Sequence, residues 1–118
     1  MTRKALLAAA LLLTFNTAGA VRVLEQVERP IELTLADLTL PAADGGTISF
    51  RECGACNLST HRLLSSTEYR VNGQLVAIVD FLRIAEEIGD KPNGAENAMA
   101  VIFLDLATAR ITRIELRE

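Results

Sequence analysis

Thr67-Glu68-Tyr69-Arg70-Val71-Asn72-Gly73-Gln74-Leu75-Val76-Ala77-Ile78-Val79 is the stretch from which the fold is read. Asn72-Gly73 lies between two runs of alternating residues. This pair suits a two-residue type I′ turn, whose central residues both need positive φ. Such a turn sets Val71 opposite Gln74, Tyr69 opposite Val76 and Thr67 opposite Ile78. Tyr69, Val71, Val76 and Ile78 then share one face, and Glu68, Arg70, Leu75 and Ala77 the other. The first face is core, and the second is mostly wet.

Downstream the apolar period lengthens from two to 3.6. Asp80 suits an N-cap, Phe81, Ile84, Ala85 and Ile88 recur at i, i+3, i+4 and i+7, and Gly89 suits a left-handed C-terminal position. A helix so short is unstable alone, so its stripe must lie on the sheet. Asp90 to Asn97, with Pro92 and Asn93-Gly94, reads as a loop. Ala98 to Leu106 is apolar on both faces, as a covered central strand is. After a turn at Ala107 to Arg110, Ile111 to Leu116 reads as a final edge strand with Ile114 and Leu116 facing inward.

Upstream, Pro30 opens a segment in which Ile31, Leu33 and Leu35 alternate with polar residues. The phase slips at Ala36-Asp37 and resumes with Leu38 and Leu40, which predicts a bulge or a break there. Pro41 to Gly46 is a turn, and Ile48 and Phe50 mark one face of the strand that follows. The expected fold is α+β: one small antiparallel sheet of about five strands, with one short helix packed on it. The alternative is a barrel of the oligonucleotide-binding type, which has a similar element count.

The N-terminus predicts an address. Arg3 and Lys4 precede a mostly apolar run from Ala5 to Phe15, and Ala18-Gly19-Ala20 suits a signal peptidase. Residues 1–20 therefore read as a signal peptide, 21–29 as a flexible leader or short edge strand, and 30–118 as a single domain. The apolar run falls well short of the roughly 20 residues that span a bilayer. The expectation is export to a periplasm or the cell exterior, with no membrane anchor after cleavage.

The whole chain has a net charge of −3. Cleavage removes Arg3 and Lys4 and no acidic residue, which takes the charge to about −5. Scattered basic residues and an acidic balance argue against nucleic acid as a partner. A basic face built from Arg110, Arg113 and Arg117 is a lesser reading than a solvated strand.

The chemistry centres on Cys53-Gly54-Ala55-Cys56, which holds the only two cysteines. A Cys53–Cys56 disulfide would staple a small exported domain. The four residues also resemble the motif of thioredoxin-type oxidoreductases, with alanine where proline is common. That resemblance implies Cys53 as nucleophile and Cys56 as resolving thiol. Thioredoxin-like enzymes set the motif at the start of a long helix, whereas Asn57 to Ser66 is a poor helix. A third reading is a metal site of Cys53, Cys56 and His61, completed by Glu52 or Asp44.

Other constellations are weaker. Ser59, Ser65 and Ser66 lie near His61 without a nucleophile elbow, and Gly45-Gly46 precedes a strand rather than a phosphate-binding helix. Glu86-Glu87 and Asp44 read as solvated charges. The sequence thus predicts a non-enzymatic domain that acts by contact with a protein or small ligand. It requires no cofactor and leaves the partner and the oligomeric state open.

Overall fold

Asn72 and Gly73 have φ of 49° and 86°, the doubly left-handed turn that their sequence predicts. The computed structural model of the chain describes residues 27–42 and 46–118. Its strands are β1 (Glu28–Thr34), β2 (Leu38–Thr39), β3 (Thr47–Phe50), β4 (Ser59–Arg62), β5 (Glu68–Val71), β6 (Gln74–Val76), β7 (Met99–Asp105) and β8 (Ile111–Arg117). Two helices, α1 (Ile78–Asp90) and the short α2 (Gly94–Asn97), separate β6 from β7. The fold is α+β, with a five-stranded sheet in the order β1-β7-β8-β5-β6 and a three-stranded sheet β2-β3-β4. Neither sheet closes on itself, so the barrel alternative does not hold.

The hairpin has the expected register, with Tyr69 opposite Val76 and Val71 opposite Gln74. It is shorter than expected, because β6 ends at Val76 and Ile78 begins α1 instead of pairing with Thr67. Tyr69 is buried and its ring meets Phe81 of α1 at 5.2 Å. Phe81, Ala85 and Ile88 carry the buried stripe of the helix, and Ile84 packs beside them. Burying a side chain of this kind contributes about 1.5–3 kcal/mol.

The helix boundaries differ from the sequence reading. Ala77, not Asp80, is the N-cap, and the Phe81 N–H donates to the Ala77 carbonyl at 2.9 Å. Asp80 sits inside the first turn, where a carboxylate suits the helix dipole. Gly89 is an ordinary helical residue, and the left-handed position falls at Asn93, with φ of 55°. Asp90 to Asn97 is therefore only partly loop. A Cβ on Gly94 would overlap the Ile88 carbonyl, so glycine allows α2 to fold back on the end of α1.

β7 and β8 pair antiparallel as expected, but β8 is the middle strand and not an edge. It pairs parallel with β5 on its other side, which makes the sheet mixed. β6 and β7 thus run the same way, and α1 crosses one face of the sheet between them. Arg113, Glu115 and Arg117 lie on the opposite face, where Arg113 stands 3.8 Å over the Phe103 ring. Buried Thr67 ties the entries of β5 and β8 together, its hydroxyl accepting from the Leu64 N–H and donating to the Ile111 carbonyl at 3.0 Å each.

At the start of the domain, β1 takes in Glu28 and Arg29, which the sequence alone assigns to the leader. Residues 21–26 of that leader, and the signal-like residues 1–20, lie outside the described residues. The predicted break is a 3-10 turn, Leu35–Asp37, which carries the chain from the large sheet into the small one. Leu35, Leu38, Ile48 and Phe50 join the main core, so the two sheets share it.

Two glycine substitutions should separate these local environments. Gly89→Ala should stabilise by about 0.5–1 kcal/mol, because helical Gly89 has open space where a Cβ would go. Gly94→Ala should destabilise by about 1–3 kcal/mol through overlap with backbone. Urea midpoints of the two variants check both signs.

Candidate functional site

Cys53 and Cys56 are joined in a disulfide with a Cα–Cα distance of 5.0 Å. The turn between them is closed again by the Cys56 N–H, which donates to the Cys53 carbonyl at 3.1 Å. Arg51 reaches along the same loop and donates to the Cys56 carbonyl at 2.8 Å. The loop leaves β3 and enters β4, so the motif stands between two strands and heads no helix. Cys53 is exposed and Cys56 half-buried.

The segment Asn57 to Ser66, read as a poor helix, contains β4. This strand places His61 opposite Ile48, and the imidazole stacks on Phe50 with centroids 5.3 Å apart and planes 14° from parallel. His61 thus covers a core phenylalanine. Among the described residues, no group of three His, Cys, Asp or Glu side chains is placed to hold a metal ion. Asp44 lies outside the described residues, and both cysteine sulfurs are occupied by each other.

The disulfide loop is fastened to the large sheet by an ion pair that sequence reasoning did not reach. Arg29 of β1 binds Glu52 in fork geometry, Nη1 to Oε2 at 2.9 Å and Nη2 to Oε1 at 2.8 Å. These hydrogen bonds hold the Glu52 carboxyl below the usual carboxylate range, against a smaller opposing effect of desolvation. The positive charges of Arg29 and His61 add to the lowering. Arg29 shares the odd-numbered face of β1 with Ile31 and Leu33, and that parity was the available signal.

Between the loop and β1 lies a groove of about 680 Å³. Glu32, Leu33 and Thr34 of β1 form one wall, and Thr39, Ser49 and Arg51 of the small sheet form another. Glu52, Cys53, Gly54 and Leu58 close one end, and Glu96 to Met99 line the rest with Asp37. Leu58 and Met99 are 57 % and 42 % exposed, two of the few large apolar side chains left open to solvent among the described residues. The volume falls in the range of ligand sites, and the lining mixes apolar, hydroxyl and carboxylate groups.

Comparison of the chain with protein-family models, with curated proteins and with solved structures gives no match in any of the three. Among the described residues, no helix is long and apolar enough to cross a membrane.

The Arg29–Glu52 pair makes a pH-dependent prediction. Its side chains are 42 % and 35 % exposed, so Glu52→Gln should cost at most about 1 kcal/mol at neutral pH. The folded Glu52 carboxyl is depressed, so its stabilisation is present above the ordinary carboxylate range and is lost as acid protonates it. The wild-type and variant urea midpoints should therefore differ at pH 7 and converge near about pH 2.

Proposed function

We propose that the chain is an exported, non-enzymatic domain that works by contact with another molecule, and that the Cys53–Cys56 disulfide is a staple in the wall of its binding groove. The observation that carries this reading is the position of the disulfide. It closes a strand-to-strand loop against the groove, with no helix N-terminus behind Cys53 to stabilise a thiolate. Export is supported by the signal-like pattern of residues 1–20 and by the disulfide, a bond that persists in oxidising compartments. The exposed Leu58 and Met99 beside the loop support contact with a partner.

A second reading makes the pair redox-active, with Cys53 as nucleophile and Cys56 as resolving thiol. Two observations favour it: Cys53 is exposed, and the Arg51 guanidinium lies close by on the Cys56 carbonyl. A nearby cation lowers a thiol pKa.

Equilibration of the protein with thiol buffers, followed by counting of free thiols by mass, separates the readings. The protein should be recovered from a secreting host, and its mass should show Val21 as the first residue. A reduction potential below about −300 mV is expected for a staple, whereas a value between about −120 and −230 mV would establish a catalytic dithiol instead. Replacement of both cysteines by serine should lower stability by about 2 kcal/mol or less, since the closed ring is small.

A further inference from the structure

The ladder between β1 and β7 fixes the direction of every backbone group on β1. The Leu35 N–H donates to the Ala98 carbonyl at 2.9 Å, and the Leu106 N–H donates to the Val27 carbonyl at 3.0 Å. Hydrogen-bonded pairs alternate with non-bonded ones in an antiparallel ladder, so Arg29, Ile31 and Leu33 bond to β7. Glu28, Pro30, Glu32 and Thr34 point their backbone groups away from it. β1 is an edge strand, and among the described residues no strand pairs with that side.

The two halves of this edge differ. Pro30 has no N–H and blunts the first half, as proline on an edge does. Glu32 offers an N–H and a carbonyl and Thr34 an N–H, its carbonyl being taken by the 3-10 turn that follows, and both residues are exposed and line the groove. The other edge of the sheet, β6, has only three residues. The groove beside Glu32 is acidic. Glu32, Asp37, Glu52 and Glu96 line it against the guanidinium of Arg51; Glu52 is engaged by Arg29, and among the described residues neither Glu32 nor Glu96 enters an ion pair.

We propose that the free edge of β1 at Glu32–Thr34 is a strand-addition site for an extended protein segment carrying lysine or arginine. The inference deepens the contact reading above and rests on it. Main-chain hydrogen bonds to Glu32 and Thr34 supply the strand pairing, the carboxylates of Glu32 and Glu96 select the charge, and Leu58 and Met99 seat apolar side chains. A second copy of the chain fits less well, because its own outward positions carry Glu28 and Glu32 and would set like charges together.

The test uses the full oxidised chain and two dye-labelled probes, acetyl-(Val-Lys)₃-amide and acetyl-(Val-Glu)₃-amide, with binding read by fluorescence anisotropy at low salt. The lysine peptide should bind at least about tenfold more tightly than the glutamate peptide, with an affinity that falls as salt is added. Glu32→Pro removes an N–H that β7 does not use, and it should weaken lysine-peptide binding at least about tenfold while the unfolding midpoint stays near that of the wild type. If that variant fails to fold, the double variant Glu32→Lys with Glu96→Lys keeps the backbone and should reverse the preference between the two peptides. Absence of binding, equal binding of both peptides, or undiminished binding to folded Glu32→Pro would overturn the proposal. So would a dimer in sedimentation that Glu32→Pro dissolves, since the edge would then belong to a second copy. The reduction potential of the cysteine pair does not depend on these outcomes, so failure of the edge site and failure of the staple are read separately.

Discussion

Leu35 and Leu38 are both buried, one at each end of a single 3-10 turn, and the layout of the molecule follows from that pair of burials. A strand that continued straight through Ala36-Asp37 would turn one of these leucines to solvent. The turn instead carries the chain out of the five-stranded sheet and into the three-stranded one, with both side chains in the common core. Ile48 and Phe50 then bury the inner face of the small sheet on that same core. Its polar residues Thr39, Ser49 and Arg51 are left lining a groove beside the first strand. Arg29 and Glu52 tie the cysteine loop, which closes one end of this groove, to the large sheet.

How far the sequence carries depends on whether a signal is local. The Asn72-Gly73 turn and the Phe81, Ala85, Ile88 stripe are set by residues next to one another, and both read correctly. The slip at Ala36-Asp37 was visible as a break in alternation, although the change of sheet was not. β4 carries no strand signal because Ser59-Thr60-His61-Arg62 contains no aliphatic residue. Its partial burial comes from the His61 ring on Phe50, a contact that exists only after β3 and β4 pair. β8 looked like an edge because Arg113, Glu115 and Arg117 are charged. They occupy the face opposite α1, where a central strand tolerates charge through pairs such as Arg117 with Glu115 at 3.0 Å.

The candidate site divides the same way. The two cysteines were legible from their spacing, and their pairing is local. The groove was not legible, because its walls come from residues 32–39, 49–54, 58 and 96–99, which only the fold brings together. His61 stood out in the sequence as the single histidine, yet its contact is structural. The residues that give the groove its character, Glu32, Leu58, Glu96 and Met99, carry no motif. Their meaning depends on the strand edge beside them.

Strand addition requires that edge to be open in the isolated protein. Native-state hydrogen exchange of the oxidised chain, read amide by amide along β1, tests this most directly. Slow exchange at Ile31, Leu33 and Leu35 with fast exchange at Glu32 and Thr34 is the alternation that a free edge predicts. Equal protection at Glu32 and Thr34 would show that the edge is already covered, and would contradict a groove built to receive another strand.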